Sequence, residues 1–99
     1  MYLSELLKYH REKKELLMRE LAYKVDVDTA VISKIEKGDR KPTKEQLHKY
    51  AIALDIDYTQ LHLLWLSEKV YQEIKEEETA LEVLKVVAKR IKEEKNNNE

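Results

Sequence analysis

The 99-residue sequence has no cysteine and no phenylalanine, one glycine and one proline. Each shortage removes a class of structure. Without cysteine there is no disulfide framework and no thiolate zinc site, which is compatible with a reducing compartment. With Gly38 and Pro42 alone, the chain has little material for tight hairpins or a glycine-rich phosphate cradle. No apolar run approaches the roughly 20 residues that a membrane-spanning helix needs. The start, Met1-Tyr2-Leu3-Ser4-Glu5, brings in charge at once and no apolar stretch follows, so it is not expected to act as a secretory signal. A cytoplasmic location is expected.

What the chain does have is helix-forming material. Hydrophobic residues make up 42% and charged residues 39%, and the commonest residues (Leu, Lys, Glu and Ala) all favour helix. An all-α protein follows. The net charge of −1 hides an uneven distribution. Residues 1–54 carry twelve Lys/Arg against nine Asp/Glu, and residues 55–99 carry seven against eleven. A mildly basic front and an acidic back point to two surfaces with different tasks.

Apolar spacing and breakers predict six helices. The first runs from about Tyr2 to Lys14, with Leu3, Leu6, Leu7 and His10 on one stripe and Ser4 as a candidate cap. The second covers Met18 to Val25, and the third Thr29 to Lys37. Asp26-Val27-Asp28 connects them, with Asp28 as N-cap. Gly38 sits where a left-handed C-cap is needed. Thr43 and Gln46 have the spacing of a capping box for the fourth helix, which ends at Leu54. A fifth helix begins near Tyr58 and continues through Val70, Tyr71 and Ile74. Thr79 caps a sixth, Ala80 to Lys95, in which Leu81, Leu84, Ala88 and Ile91 step by three, four and three. Residues 96–99 are expected to be a disordered tail.

The informative constellation is residues 17–38. Two short helices meet at a three-residue turn, Ala22 is small where they cross, and Val27 plugs the space between them. Ile32 and Ile35 bury one face of the third helix. Its other face carries Thr29, Ala30, Ser33, Lys34 and Lys37, short side chains with positive ends, which suit a major groove about 12 Å wide.

The pattern Glu20-Leu21-Ala22, Val25, Val27, Ile32-Ser33-Lys34-Ile35-Glu36-Lys37-Gly38, Arg40-Lys41-Pro42 resembles the Cro/C1-type (XRE) helix-turn-helix family over about Leu3 to Leu64. The resemblance implies a five-helix lambda-repressor-like DNA-binding domain, here residues 1–66. An extended C-terminal helical hairpin follows, with residues 67–95 as a dimerisation extension. It also implies roles. Thr29, Ala30, Ser33 and Lys34 would touch bases of double-stranded DNA, with Lys34 donating to guanine. Arg11, Met18, Arg19, Lys37, Arg40 and Lys41 would meet phosphates. Arg11 and Glu36 match a family salt bridge. Leu17-Met18-Arg19 stands where the family has Thr or Ser and Gln, which leaves the backbone amides and the helix dipole to hold an anion.

Other residues carry less. His10, His48 and His62 have no paired ligand spacing, so no metal, cofactor or small-molecule ligand is expected. Trp65 reads as core or dimer contact. No nucleophile elbow or phosphate loop offers an active site, and the chain is not expected to be an enzyme. The expected function is a homodimeric repressor or controller on an inverted-repeat operator, similar to the controller proteins of restriction-modification systems. Trp65, Tyr71, Ile74, Leu81, Leu84, Ala88 and Ile91 would form its dimer interface. The alternative is an antitoxin-type interaction module whose C-terminal helices bind a partner protein.

Overall fold

A computed structural model describes residues 2–97 of the chain. Among them are six helices and no strand: α1 (Leu3–Lys13), α2 (Met18–Val25), α3 (Thr29–Lys37), α4 (Lys44–Leu54), α5 (Tyr58–Ile74) and α6 (Ala80–Asn97). Two compact units divide at Ser67/Glu68. The first holds α1 to α4 and the front of α5, and the second holds the rest.

The first unit has one core. Leu3 and Leu7 of α1, Leu21, Ala22 and Val25 of α2, Ile32 and Ile35 of α3, and Leu47, Tyr50, Ala51 and Leu54 of α4 are buried together with Leu61 and Trp65 of α5. In each helix they recur at three- and four-residue steps, the stripe that a packed helix turns inward. α2 packs on α3 and α4, and α1 packs on the same two helices.

The turns share one device. Glu15, Asp26, Gly38 and Asp55 all have positive φ, and the amide of the following residue bonds back to a carbonyl in the last turn of the helix. These bonds are Leu16 to Arg11 (3.1 Å), Val27 to Ala22 (3.0 Å), Asp39 to Lys34 (2.9 Å) and Ile56 to Ala51 (2.9 Å). This closure satisfies carbonyls that a helix end leaves open. Three of the following residues, Leu16, Val27 and Ile56, are apolar and pack against the core, so each turn is anchored as well as capped. At Gly38 the requirement is conformational, because a Cβ there would meet only Ser4 Oγ at an ordinary 3.6 Å while φ is +81°.

Three local expectations are corrected. Ser4 does not cap α1; it lies inside the helix, and Tyr2 occupies the cap position without a side-chain bond. Asp28 occupies the N-cap of α3 but its carboxylate accepts no cap bond. The equivalent Asp57 does accept one, from the Thr59 amide at 3.2 Å. Asn96 and Asn97, expected in a disordered tail, continue α6; the rest of that tail, Asn98 and Glu99, lies outside the described residues. Thr43 and Gln46 form the reciprocal capping box, with bonds of 3.0 and 3.1 Å.

Candidate nucleic-acid interface

α3 presents two faces because its apolar residues fall at Ile32 and Ile35. With those buried, the helical repeat turns Thr29, Ala30, Lys34 and Lys37 to the exterior, and Ser33 lies half-buried at the margin. No acidic side chain stands on this outer face. Its one carboxylate, Glu36, points inward and its side chain is 2% exposed.

A buried carboxylate is costly unless it is paired. Arg11 of α1 supplies the pair: Nε donates to one oxygen at 2.6 Å and Nη2 to the other at 3.0 Å. Nη1 donates to the Leu16 carbonyl at 2.8 Å. One guanidinium therefore joins α1, the α1–α2 turn and the C-terminal end of α3. Its hydrogen bond to Glu36 raises the Arg11 pKa above its usual value against the opposing effect of burial. Arg11, to which the resemblance also gives a phosphate contact, has all three nitrogens committed inside the domain, and its side chain is 11% exposed.

At the start of α2, Arg19 is exposed. The Met18 side chain packs against the core, leaving its backbone amide as the group at the helix start. The Glu20 carboxylate accepts from the Leu17 amide at 2.8 Å, so an anion already occupies one donor of this helix end. Past α3, Arg40 is exposed and Lys41 half-buried on the loop that leads to the buried Pro42. The loop is fixed from below by Trp65, whose Nε1 donates to the Pro42 carbonyl at 2.8 Å. A shallow, open depression lined by Tyr23, Asp28, Val31, Arg40 and Gln46 lies beside the α2–α3 turn.

The structure thus gathers Lys34, Lys37, Arg40 and the outer residues of α3 into the unit that also holds Arg19 and Lys41. It removes Trp65 from the expected dimer seam. That indole is 7% exposed within the domain, because its N–H needs the Pro42 carbonyl and its ring completes the core. Of the other residues expected there, Tyr71, Leu81, Leu84, Ala88 and Ile91 are exposed and Ile74 is half-buried. Leu63 and Leu66 are not among the residues expected at that seam. Both are exposed and, with Val70 and Ile74, they step along α5 by three, four and four on the face opposite Leu61 and Trp65. That spacing was the available signal, obscured by the surrounding run of leucines.

The histidines are placed as aromatic surface. His48 stacks on Tyr58 with ring centroids 3.6 Å apart, and His62 lies between Tyr58 and Trp65. Among the described residues no group of His, Asp or Glu is arranged to hold a metal ion, and no helix is long and apolar enough to cross a membrane.

A helix-turn-helix family model, HTH_3, matches residues 7–61. Among solved structures, the chain is similar to the clp gene regulator ClgR from Corynebacterium glutamicum. The TM-score is 0.58 and the identity 24%, over 75% of this chain and 79% of that one; the likeness is one of fold. No curated protein matches the sequence.

Proposed function

The chain belongs to the Cro/C1-type (XRE) helix-turn-helix family, a family of non-enzymatic DNA-binding regulators, and on that footing we propose that it regulates transcription by binding an inverted-repeat operator as a homodimer. The observation that carries this reading is the outer face of α3. It is exposed, free of carboxylates and flanked by Lys37 and Arg40, while the inner face is locked by Ile32, Ile35 and the Arg11–Glu36 pair. Such a helix can lie in a major groove with Thr29, Ala30, Ser33 and Lys34 at base edges. Arg19, Lys37, Arg40 and Lys41 meet the adjoining phosphates.

A single helix of this length reads only a few base pairs. Two-fold pairing doubles the contacts and places two recognition helices about 34 Å apart. The exposed apolar residues of the C-terminal part supply the surface for that pairing, and occupancy then follows protein concentration without a small-molecule inducer. Selection of bound duplexes from random sequence tests the reading. The expected product is an inverted repeat whose half-sites are centred about one helical turn apart. Enrichment of a single half-site, or of nothing, counts against it.

A further inference from the structure

α6 has no buried residue along its 18 positions. Ala80, Leu84, Val87 and Ile91 step along it by four, three and four, which places them on one stripe. Leu84 is 42%, Val87 47% and Ile91 50% exposed. The charges around this stripe are ordered along the chain. Glu73, Glu76, Glu77, Glu78 and Glu82 accompany Lys75 alone, a net of −4 over residues 73–82. Lys85, Lys89, Arg90, Lys92 and Lys95 outnumber Glu93 and Glu94, a net of +3 over residues 85–95. Glu93 and Glu94 are each bonded one turn back, to Lys89 at 4.0 Å and Arg90 at 3.1 Å. The positive charge not offset in this way, on Lys85, Lys92 and Lys95, therefore falls on one flank of the stripe.

We propose that α6 pairs with α6 of a second copy in antiparallel orientation, with Ala80 facing Ile91 and Leu84 facing Val87 across the two-fold axis. This rests on the homodimer reading above and adds the partner element and its direction. The argument is charge complementarity on an amphipathic stripe. Antiparallel pairing sets the basic end of each helix, Lys92 and Lys95, beside the other copy's Glu76–Glu78 run. Parallel pairing sets the two Glu76–Glu78 runs against each other, the two basic ends against each other, and Glu94 against its own copy in the seam. In the antiparallel register Glu94 lies beyond the apolar layers. Helix-dipole compensation does not account for the ordering, because its effect is confined to the first and last turns, whereas Lys85 stands in the second turn of α6.

The absence of cysteine from the chain makes the orientation directly readable. Full-length protein carrying Ala80→Cys is mixed with a size-tagged form carrying Ile91→Cys and oxidised. The expected result is a mixed disulfide in large excess over either self-disulfide. Predominant self-disulfides in a protein that sediments as a dimer overturn the antiparallel arrangement and leave the homodimer intact. A monomer at tens of micromolar overturns both. A second pair of variants needs no crosslink and changes only exposed side chains. Lys92→Glu with Lys95→Glu is expected to weaken self-association about tenfold or more, and adding Glu76→Lys with Glu77→Lys to restore it. Unchanged association of the first variant, or no restoration by the second, overturns the proposal.

Discussion

The indole Nε1 of Trp65 donates to the carbonyl oxygen of Pro42 at 2.8 Å, across 23 residues of sequence. The bond ties the middle of α5 to the end of the loop that carries Arg40 and Lys41, so a core residue sets the position of two basic side chains it does not touch. Trp65→Phe keeps most of the ring packing and leaves that carbonyl without its donor. The expected cost is about 1–3 kcal/mol, read as a lower urea midpoint at unchanged slope. Trp65→Ala also empties a core site and is expected to cost about 3–5 kcal/mol. A Phe variant that unfolds at the parent midpoint shows that the bond adds nothing.

Arg11 and Glu36 are expected to act as one unit. Removing either alone strands the other in a largely buried site, at about 3–5 kcal/mol. The double replacement by apolar residues is expected to cost much less than the sum of the two single changes. A double-mutant cycle on stability checks this, and strict additivity shows that the two groups do not interact in solution. The same cycle on DNA affinity separates a positioning role from a phosphate contact. With its nitrogens already engaged by Glu36 and Leu16, Arg11 is expected to affect affinity only in proportion to the folded fraction.

Tyr50 is fully buried and its hydroxyl has no hydrogen-bond partner. Burial, and after it the charge of Glu36, raises its pKa above the ordinary value of 10.0. Above pH 10 the unfolded chain releases this proton while the folded chain keeps it. Its contribution is therefore fully present below pH 10 and is lost as the pH rises further, at up to about 1.4 kcal/mol per unit. Tyr50→Phe is expected to be neutral or slightly stabilising at pH 7, since it removes an unsatisfied polar group. It is also expected to flatten the alkaline decline. A variant at least 1 kcal/mol less stable than the parent at neutral pH contradicts this account of the hydroxyl.

Lys34 and Lys41 are expected to fail differently on DNA. Lys34→Ala is expected to cost about 1–3 kcal/mol on the preferred site and to relax preference at one base position. Lys41→Ala is expected to weaken all sequences alike and reduce the salt slope by about one. Titrations of selected and scrambled duplexes at several salt concentrations measure both effects. Identical behaviour of the two variants removes the distinction between base and phosphate contact.

Where the sequence was legible, breakers and periodicity agreed. α2 and α3 stand at the expected residues because Asp26 and Gly38 end them with positive φ and because Leu21, Val25, Ile32 and Ile35 leave one choice of inward face. Legibility fell where a pattern had two solutions. In Leu61-His62-Leu63-Leu64-Trp65-Leu66 apolar residues point in nearly every direction, so the spacing that links Leu63 and Leu66 to Val70 and Ile74 does not by itself show which face turns outward. Long-range partners were illegible for another reason. The donor to Pro42 is set by how α5 lies on the domain, not by spacing along the chain. The Arg11–Glu36 pair spans 25 residues and was reached only through the family pattern.

All core residues of the first unit lie between Leu3 and Trp65, and α6 contributes none. A chain ending after Glu78 is therefore expected to unfold with the cooperativity of the parent domain. It loses the apolar stripe of Leu84, Val87 and Ile91 and, on the homodimer proposal, is expected to lose with it the linkage between two recognition helices. Binding to an isolated half-site, whose expected contacts on α2, α3 and the Arg40–Lys41 loop all lie in the first unit, is expected to be unchanged. Binding to the full inverted repeat is expected to fall about 10²–10⁴-fold, the range by which tethering raises avidity. Sedimentation and titration on both duplexes measure the two parts separately. A truncated chain that remains dimeric and keeps full affinity for the repeat assigns the pairing to the exposed Leu63, Leu66 and Val70 of α5 and removes α6 from the interface.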